Sequence, residues 1–309
     1  MDALKKPISV IEPVNEAIEK TKILLFKPFD MEKWFVIGFC AWLANLIREG
    51  TRGMANFRYN KTEMHASEAS AKIIEFVSSH IAAVSIAIII GAVFLVAIIV
   101  LLLWLSSRGQ FMFLDCLARN KAEIVRPWTA FKKQANSLFS FRVLLIVISG
   151  AIITGLSIPI AILAIATTSA NLNCAAGLAI IIVLVLLIIA TVIVFGFVQV
   201  LTFDFAVPIM YLQKISLFAA WGKILPLLKG HFWKIMLFLL FKLLIKMCIG
   251  AIILGIVFIG CCFCCISAIL FIPYIGTVAL LPFPSFSRFY SLCFLRQFGS
   301  KFDVFAAEA

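Results

Sequence analysis

Between Arg142 and Asp204 the chain runs for 61 residues without a charged side chain. One helix of that length would measure about 92 Å, roughly three times the 30 Å or so of bilayer hydrocarbon. A water-soluble domain could not hide such a run either, because much of a globule's surface stays wet. The run must therefore cross a membrane twice, and the polar stretch TTSANLN at 167–173 marks the turn. Composition agrees. Of 309 residues, 63% are hydrophobic and 14% charged, against roughly 45–50% and about 25% in soluble domains. That balance excludes a soluble enzyme, a disordered regulator and a disulfide-stapled secreted domain. The predicted fold class is all-α, a polytopic membrane helical bundle.

Further runs supply further spans. There are 27 uncharged residues between His80 and Arg108, and 41 between Lys246 and Arg288. The latter is too long for one crossing and tight for two, so its first span begins before Lys246. The weakest candidate has only 14 residues, Trp34 to Ile47, between Lys33 and Arg48; it could instead be re-entrant. Lysine and arginine collect on the cytoplasmic side of membrane proteins. With six spans, 20 Lys/Arg fall on one side and 5 on the other; with five spans the split is 14 to 11. The charge distribution favours six spans, near 31–48, 81–105, 143–166, 175–199, 235–258 and 262–281, with both termini cytoplasmic. Residues 1–30 then form a cytoplasmic amphipathic segment, 31–285 the membrane domain and 286–309 a cytoplasmic tail. Residues 1–20 lack the apolar core of a signal peptide, so the first span is expected to act as the membrane signal.

The segments before the odd-numbered spans share a grammar. Ala17, Ala130 and Ala220 are each followed by Lys at plus three (Lys20, Lys133, Lys223) and Leu at plus eight (Leu25, Leu138, Leu228). Such positions share roughly one helical side. Two readings stay open: the shared look of any Lys- and Leu-rich interfacial helix, or three copies of a unit made of a surface helix and a transmembrane hairpin. The second predicts amphipathic helices near 14–27, 124–138 and 212–229.

One stretch is more distinctive: Val207-Pro208-Ile209-Met210, then Ser216 to Ala220, then Leu228-Lys229-Gly230-His231-Phe232-Trp233-Lys234. With Leu281-Pro282-Phe283 and Ser287 to Leu292, it resembles the membrane portion found beside some bacterial glycerophosphoryl diester phosphodiesterases and related multi-pass families. The resemblance covers roughly residues 111–300 and implies six helical spans. It implies no phosphodiesterase activity, because that chemistry belongs to a separate soluble barrel.

Catalytic patterns are absent from the sequence. His65, His80 and His231 form no H-E-x-x-H pair, and there is no G-x-S-x-G, Walker A or G-x-G-x-x-G. The nine cysteines show no paired spacing. In Cys261-Cys262-Phe263-Cys264-Cys265, three thiols share a helical side, which fits close apolar packing, a disulfide with Cys174, or a metal. Without His or spacing loops, no metal and no cofactor are expected. Asn45 and Gln199 fit interhelical hydrogen bonds.

Lys242 and Lys246, four apart on the fifth span, stand out because ionisable groups inside spans are costly. Either they snorkel to the cytoplasmic surface, or they hold an anionic headgroup with Lys229 and Lys234 at the mouth of the site. Asp204 is a candidate counter-ion, but its distance from them is not legible in sequence. The leading function is therefore a non-enzymatic membrane protein of the prokaryotic plasma membrane. Its basic cytoplasmic face would engage anionic membrane lipids or a partner protein, without nucleic acid. The alternative is a transporter or lipid-handling permease, a class in which repeats are common.

Overall fold

The computed structural model describes residues 8–57, 80–169, 174–262 and 272–306, and every regular element among them is helical. In chain order these are α1 (Glu12–Phe26), α2 (Met31–Phe57), α3 (Ile81–Arg119), α4 (Val125–Ala130), α5 (Lys132–Ser169) and α6 (Cys174–Leu201). A π-turn, Thr202–Ala206, continues α6 into α7 (Val207–Gln213). Then follow α8 (Leu217–Gly230), α9 (Phe232–Cys262), α10 (Pro273–Ala279) and α11 (Pro282–Arg296).

Four helical stretches are long and apolar enough to cross a membrane: Ile81–Arg119, Lys132–Ala166, Gly177–Gln213 and Phe232–Ile259. Almost none of their apolar midsections is covered by protein. Ile88, Ile165, Ile193 and Phe258 are each about two-thirds exposed or more. In water that surface would be ruinous at roughly 25 cal/mol per Å²; in a bilayer the acyl chains cover it.

The six-span expectation is met only to that extent. The proposed first span lies in α2, whose side chains are described only over residues 31–46, and it falls outside the four-member set. Of the proposed sixth span, 262–281, residues 263–271 lie outside the described residues, and the remainder contains the seven-residue α10. Cys264 and Cys265, most of the 53–80 loop and His65 also fall outside.

The protein's own core sits at one end of the four long helices. Phe111, Leu114, Leu138, Met210, Phe238, Tyr290 and Phe294 are buried there together. Phe238 stacks on Phe294 with centroids 4.1 Å apart. Three segments run through this base: the second half of α3, the π-turn with α7, and α11. Around them lie α1, α4 with the start of α5, and α8.

The surface-helix grammar holds unevenly. Ala17, Leu25 and Ala220 are fully buried, as the common face requires. In the middle copy the expected helix over 124–138 is interrupted at Phe131, and α5 runs from Lys132 straight into a long apolar helix. Ala130 is therefore exposed and Phe131 and Ala135 turn inward in its place, while the expected Leu138 is fully buried. Asn45 is also satisfied locally: its Nδ2 donates to the Ala41 carbonyl of its own helix at 2.9 Å.

Segments near the two ends of the chain pack on each other through α1 and α11. Glu16 pairs with Arg296 at 2.7 Å. The Tyr290 hydroxyl donates to the Val10 carbonyl at 3.1 Å, and the Gln297 side chain exchanges two hydrogen bonds with the Ser9 backbone. Small residues let α2 approach its neighbours. A side chain at Gly109 would meet Leu43 and Ala44 backbone atoms at 2.6 Å. Ser106 and Gln110 donate to the Ala44 carbonyl across the same contact.

Candidate functional site: a buried ion cluster at one end of the spans

The cluster begins with a proline. Pro208 has no N–H, and in an α-helix its ring would crowd the carbonyl of residue 204. The helix relieves this by widening over Thr202–Ala206 into i+5 bonding, seen in the Val207 N–H donating to the Thr202 carbonyl. In that wider pattern the carbonyl of Phe203 faces residue 208, which has no donor to offer. Nη1 of Arg288 on α11 supplies one at 2.5 Å.

Asp204, the next residue, is nearly fully buried, and its Oδ1 accepts from Lys242 Nζ on α9 at 2.6 Å. The Ser291 hydroxyl, one turn beyond Arg288, donates to the same oxygen at 3.2 Å and lies 2.5 Å from Lys242 Nζ. Lys246 and Arg288 lie within electrostatic range of the pair. Burial lowers the Arg288 guanidinium to about 10, partly opposed by Asp204, so it remains charged at neutral pH.

A second group of cations adjoins it. Arg142 lies over the Phe203 ring, 5.2 Å from its centroid, and its Nη1 reaches the Ser106 and Ser107 hydroxyls at 3.2 Å each. Arg108 sits 4.6 Å from both the Trp104 and Trp128 rings and donates to the Trp128 carbonyl. Asp115, buried on α3, accepts from the Tyr211 hydroxyl at 2.8 Å and faces Arg126 at 3.6 Å. Among the described residues the interior thus holds four basic side chains, Arg108, Arg142, Lys242 and Arg288, and two carboxylates, Asp115 and Asp204.

The sequence-predicted residues separate in space. Lys242 is buried, with its charge met by Asp204, while Lys246 is half-buried. Lys229 and Lys234 are exposed at the α8–α9 corner beside Trp233, which is 81% exposed. Sequence reasoning missed Arg108, Arg142, Arg288 and Ser291 as site residues. The three arginines were visible in sequence as the charges that bound the long apolar runs, but there they counted only as loop charges. Among the described residues no group of histidine, cysteine and carboxylate side chains is arranged to hold a metal ion.

Long apolar helices rooted in a compact base with buried ion pairs define a multi-pass helical membrane protein. The chain belongs to a family of unknown function, DUF7544, whose model matches residues 8–281. No curated protein and no solved structure matches the chain.

Proposed function

We propose that the chain is a non-enzymatic membrane protein of the prokaryotic cytoplasmic membrane, with six spans and both termini cytoplasmic, whose basic inner face engages anionic lipid. The observation that carries this reading is the outer face of α8 and the start of α9. There Phe218, Leu225, Phe232 and Trp233 are exposed beside the exposed Lys223, Lys229 and Lys234. The opposite face of α8 buries Leu217, Ala220 and Ile224 in the base. A helix with one face in the protein and a second face of aromatics and lysines fits the headgroup boundary, where rings sit among headgroups and lysines meet phosphates. The likeness of residues 111–300 to the membrane portion of the phosphodiesterases supports the six-span count.

Lys242 is taken up by Asp204, so the surface engagement rests on Lys229 and Lys234 together with Lys223. Two experiments test the reading. Cysteines placed by Val125→Cys and Leu225→Cys should label from the cytoplasm, and those placed by Asn60→Cys and Ala170→Cys from outside. Replacing Lys223, Lys229 and Lys234 with Gln should lower the anionic lipid retained through purification. Unchanged lipid in the triple variant would remove the surface-engagement reading.

A transporter or permease is the second reading. It draws on the Asp204–Lys242 pair and the π-turn, because ion pairs within membrane helices mark pathways and π-turns recur at functional sites.

A further inference from the structure

Arg288 is 7% exposed and uses one of its nitrogens, Nη1, on the Phe203 carbonyl. Its Nε and Nη2 are buried without a hydrogen-bond partner. Those two N–H groups point in parallel from one edge of the guanidinium and form the fork that grips a carboxylate or phosphate through two oxygens. Ser285, three residues earlier and on the same side of α11, is fully buried with its Oγ also unpartnered. Oδ2 of Asp204 is a buried acceptor in the same condition. A buried charged group left unsatisfied costs more than a neutral one, so two such groups and a buried hydroxyl on adjoining segments are an unfilled requirement. Together they ask for an oxyanion that takes the fork and a hydroxyl that donates to Asp204. The excess of buried cations over carboxylates asks for the same negative charge.

Depth narrows the source of that charge. Asp204 lies about 45 Å along its helix from Cys174, Arg108 about 40 Å from Ile81, and Arg142 about 40 Å from Ser169. These distances exceed the roughly 30 Å of hydrocarbon and fall within the 40–45 Å or so that includes the headgroups. With the far ends of these helices at the opposite bilayer surface, the cluster falls at the level of lipid phosphates.

We propose that Arg288, with Ser285 and Asp204, binds a hydroxyl-bearing phosphate ester: the fork and the Ser285 hydroxyl hold phosphoryl oxygens, and Asp204 Oδ2 accepts from the ester's hydroxyl. The site rests on the membrane reading above but not on the surface lysines. The headgroup of an anionic phospholipid and a free phosphate ester share this chemistry.

The test uses the full-length protein in nanodiscs of phosphatidylglycerol and phosphatidylcholine, read by native mass spectrometry. One phosphatidylglycerol per chain should survive activation that strips phosphatidylcholine. Arg288→Lys keeps the charge and removes the fork, and should cut that occupancy at least tenfold; Ser285→Ala should cut it several-fold. Should Arg288→Lys not fold, as judged by size exclusion, Ser285→Ala decides. Displacement of the bound lipid by millimolar glycerol 3-phosphate, but not by equal chloride, assigns the site to a free ester; retention assigns it to the lipid. Either result upholds the shared chemistry. Occupancy by phosphatidylglycerol and glycerol 3-phosphate no greater than by phosphatidylcholine overturns the proposal, as does an unchanged adduct in whichever variant folds. The Lys223, Lys229 and Lys234 triple variant should keep the single tight adduct while losing loosely held anionic lipid, so the two readings fail separately.

Discussion

Nη1 of Arg288 donates to the carbonyl oxygen of Phe203, 85 residues earlier, at 2.5 Å. The bond exists because Pro208 cannot donate to that carbonyl. One missing hydrogen on a backbone nitrogen thus widens a helix, turns Asp204 toward Lys242 and ties α11 to the π-turn.

Pro208→Ala restores the N–H and removes the ring, so the segment can return to α-helical bonding. Each residue in an α-helix turns the chain by about 100°, and Asp204 should swing off Lys242. The measurable outcome is a change in coupling. Lys242→Gln should destabilise the natural chain strongly and the Pro208→Ala chain little, as followed by thermal unfolding in detergent.

Lys242→Met leaves the Asp204 carboxylate buried beside Ser291 with its direct ion pair gone. Removing one partner of a buried pair costs about 3–5 kcal/mol. Adding Asp204→Asn should recover a large part of that loss, because the uncompensated charge goes too. A double-mutant cycle on unfolding midpoints checks this; additive losses would contradict a direct pair.

Gly109→Ala should lower the unfolding temperature more than Gly38→Ala. The new methyl at 109 meets backbone atoms of Leu43 and Ala44 at 2.6 Å, which cannot yield without moving α2. At 38 the nearest atom is a Val278 side-chain methyl at 2.5 Å, which has more freedom. Overpacking costs typically about 1–3 kcal/mol, with Gly109 at the upper end.

Cys293 on α11 is almost fully buried, and burial pushes its thiol up to about 12. Because the thiolate is the reactive form, maleimide at pH 8 should leave Cys293 unmodified in the folded protein and label it after denaturation. The sign of the linkage follows. The folded state holds this proton more tightly than the unfolded one, whose ordinary value is 9.0. Its contribution to stability is complete below pH 9 and is lost as pH rises toward 12. Cys293→Ala should flatten that part of the alkaline stability profile.

Much of the architecture is legible in the sequence because bilayer crossing is a local property. A run such as 143–203 declares two crossings by length and apolarity alone, divided at the polar stretch 167–173. The three long runs supply four described membrane-length helices. The weaker signals depend on context. The 14 residues between Lys33 and Arg48 read as a short span; in the structure they belong to α2, which runs to Phe57 and packs on α3 and α10. The Ala–Lys–Leu spacing gave the right buried face at Ala17 and Ala220, but at Ala130 the break at Phe131 shifted the face.

The sequence by itself determined the class, a multi-pass helical membrane protein, since hydropathy acts residue by residue. The ion cluster was decided only by tertiary structure. Arg142, Asp204 and Arg288 each look like the end of a span, and Lys242 looks like a charge stranded within one. Their pairing requires four helical segments to bring separate charges together. It also requires Pro208 to turn Asp204 and uncover the Phe203 carbonyl. Apolar runs report on the solvent around each helix, whereas a buried pair reports on which helices meet, and that is fixed by packing between segments nearly ninety residues apart.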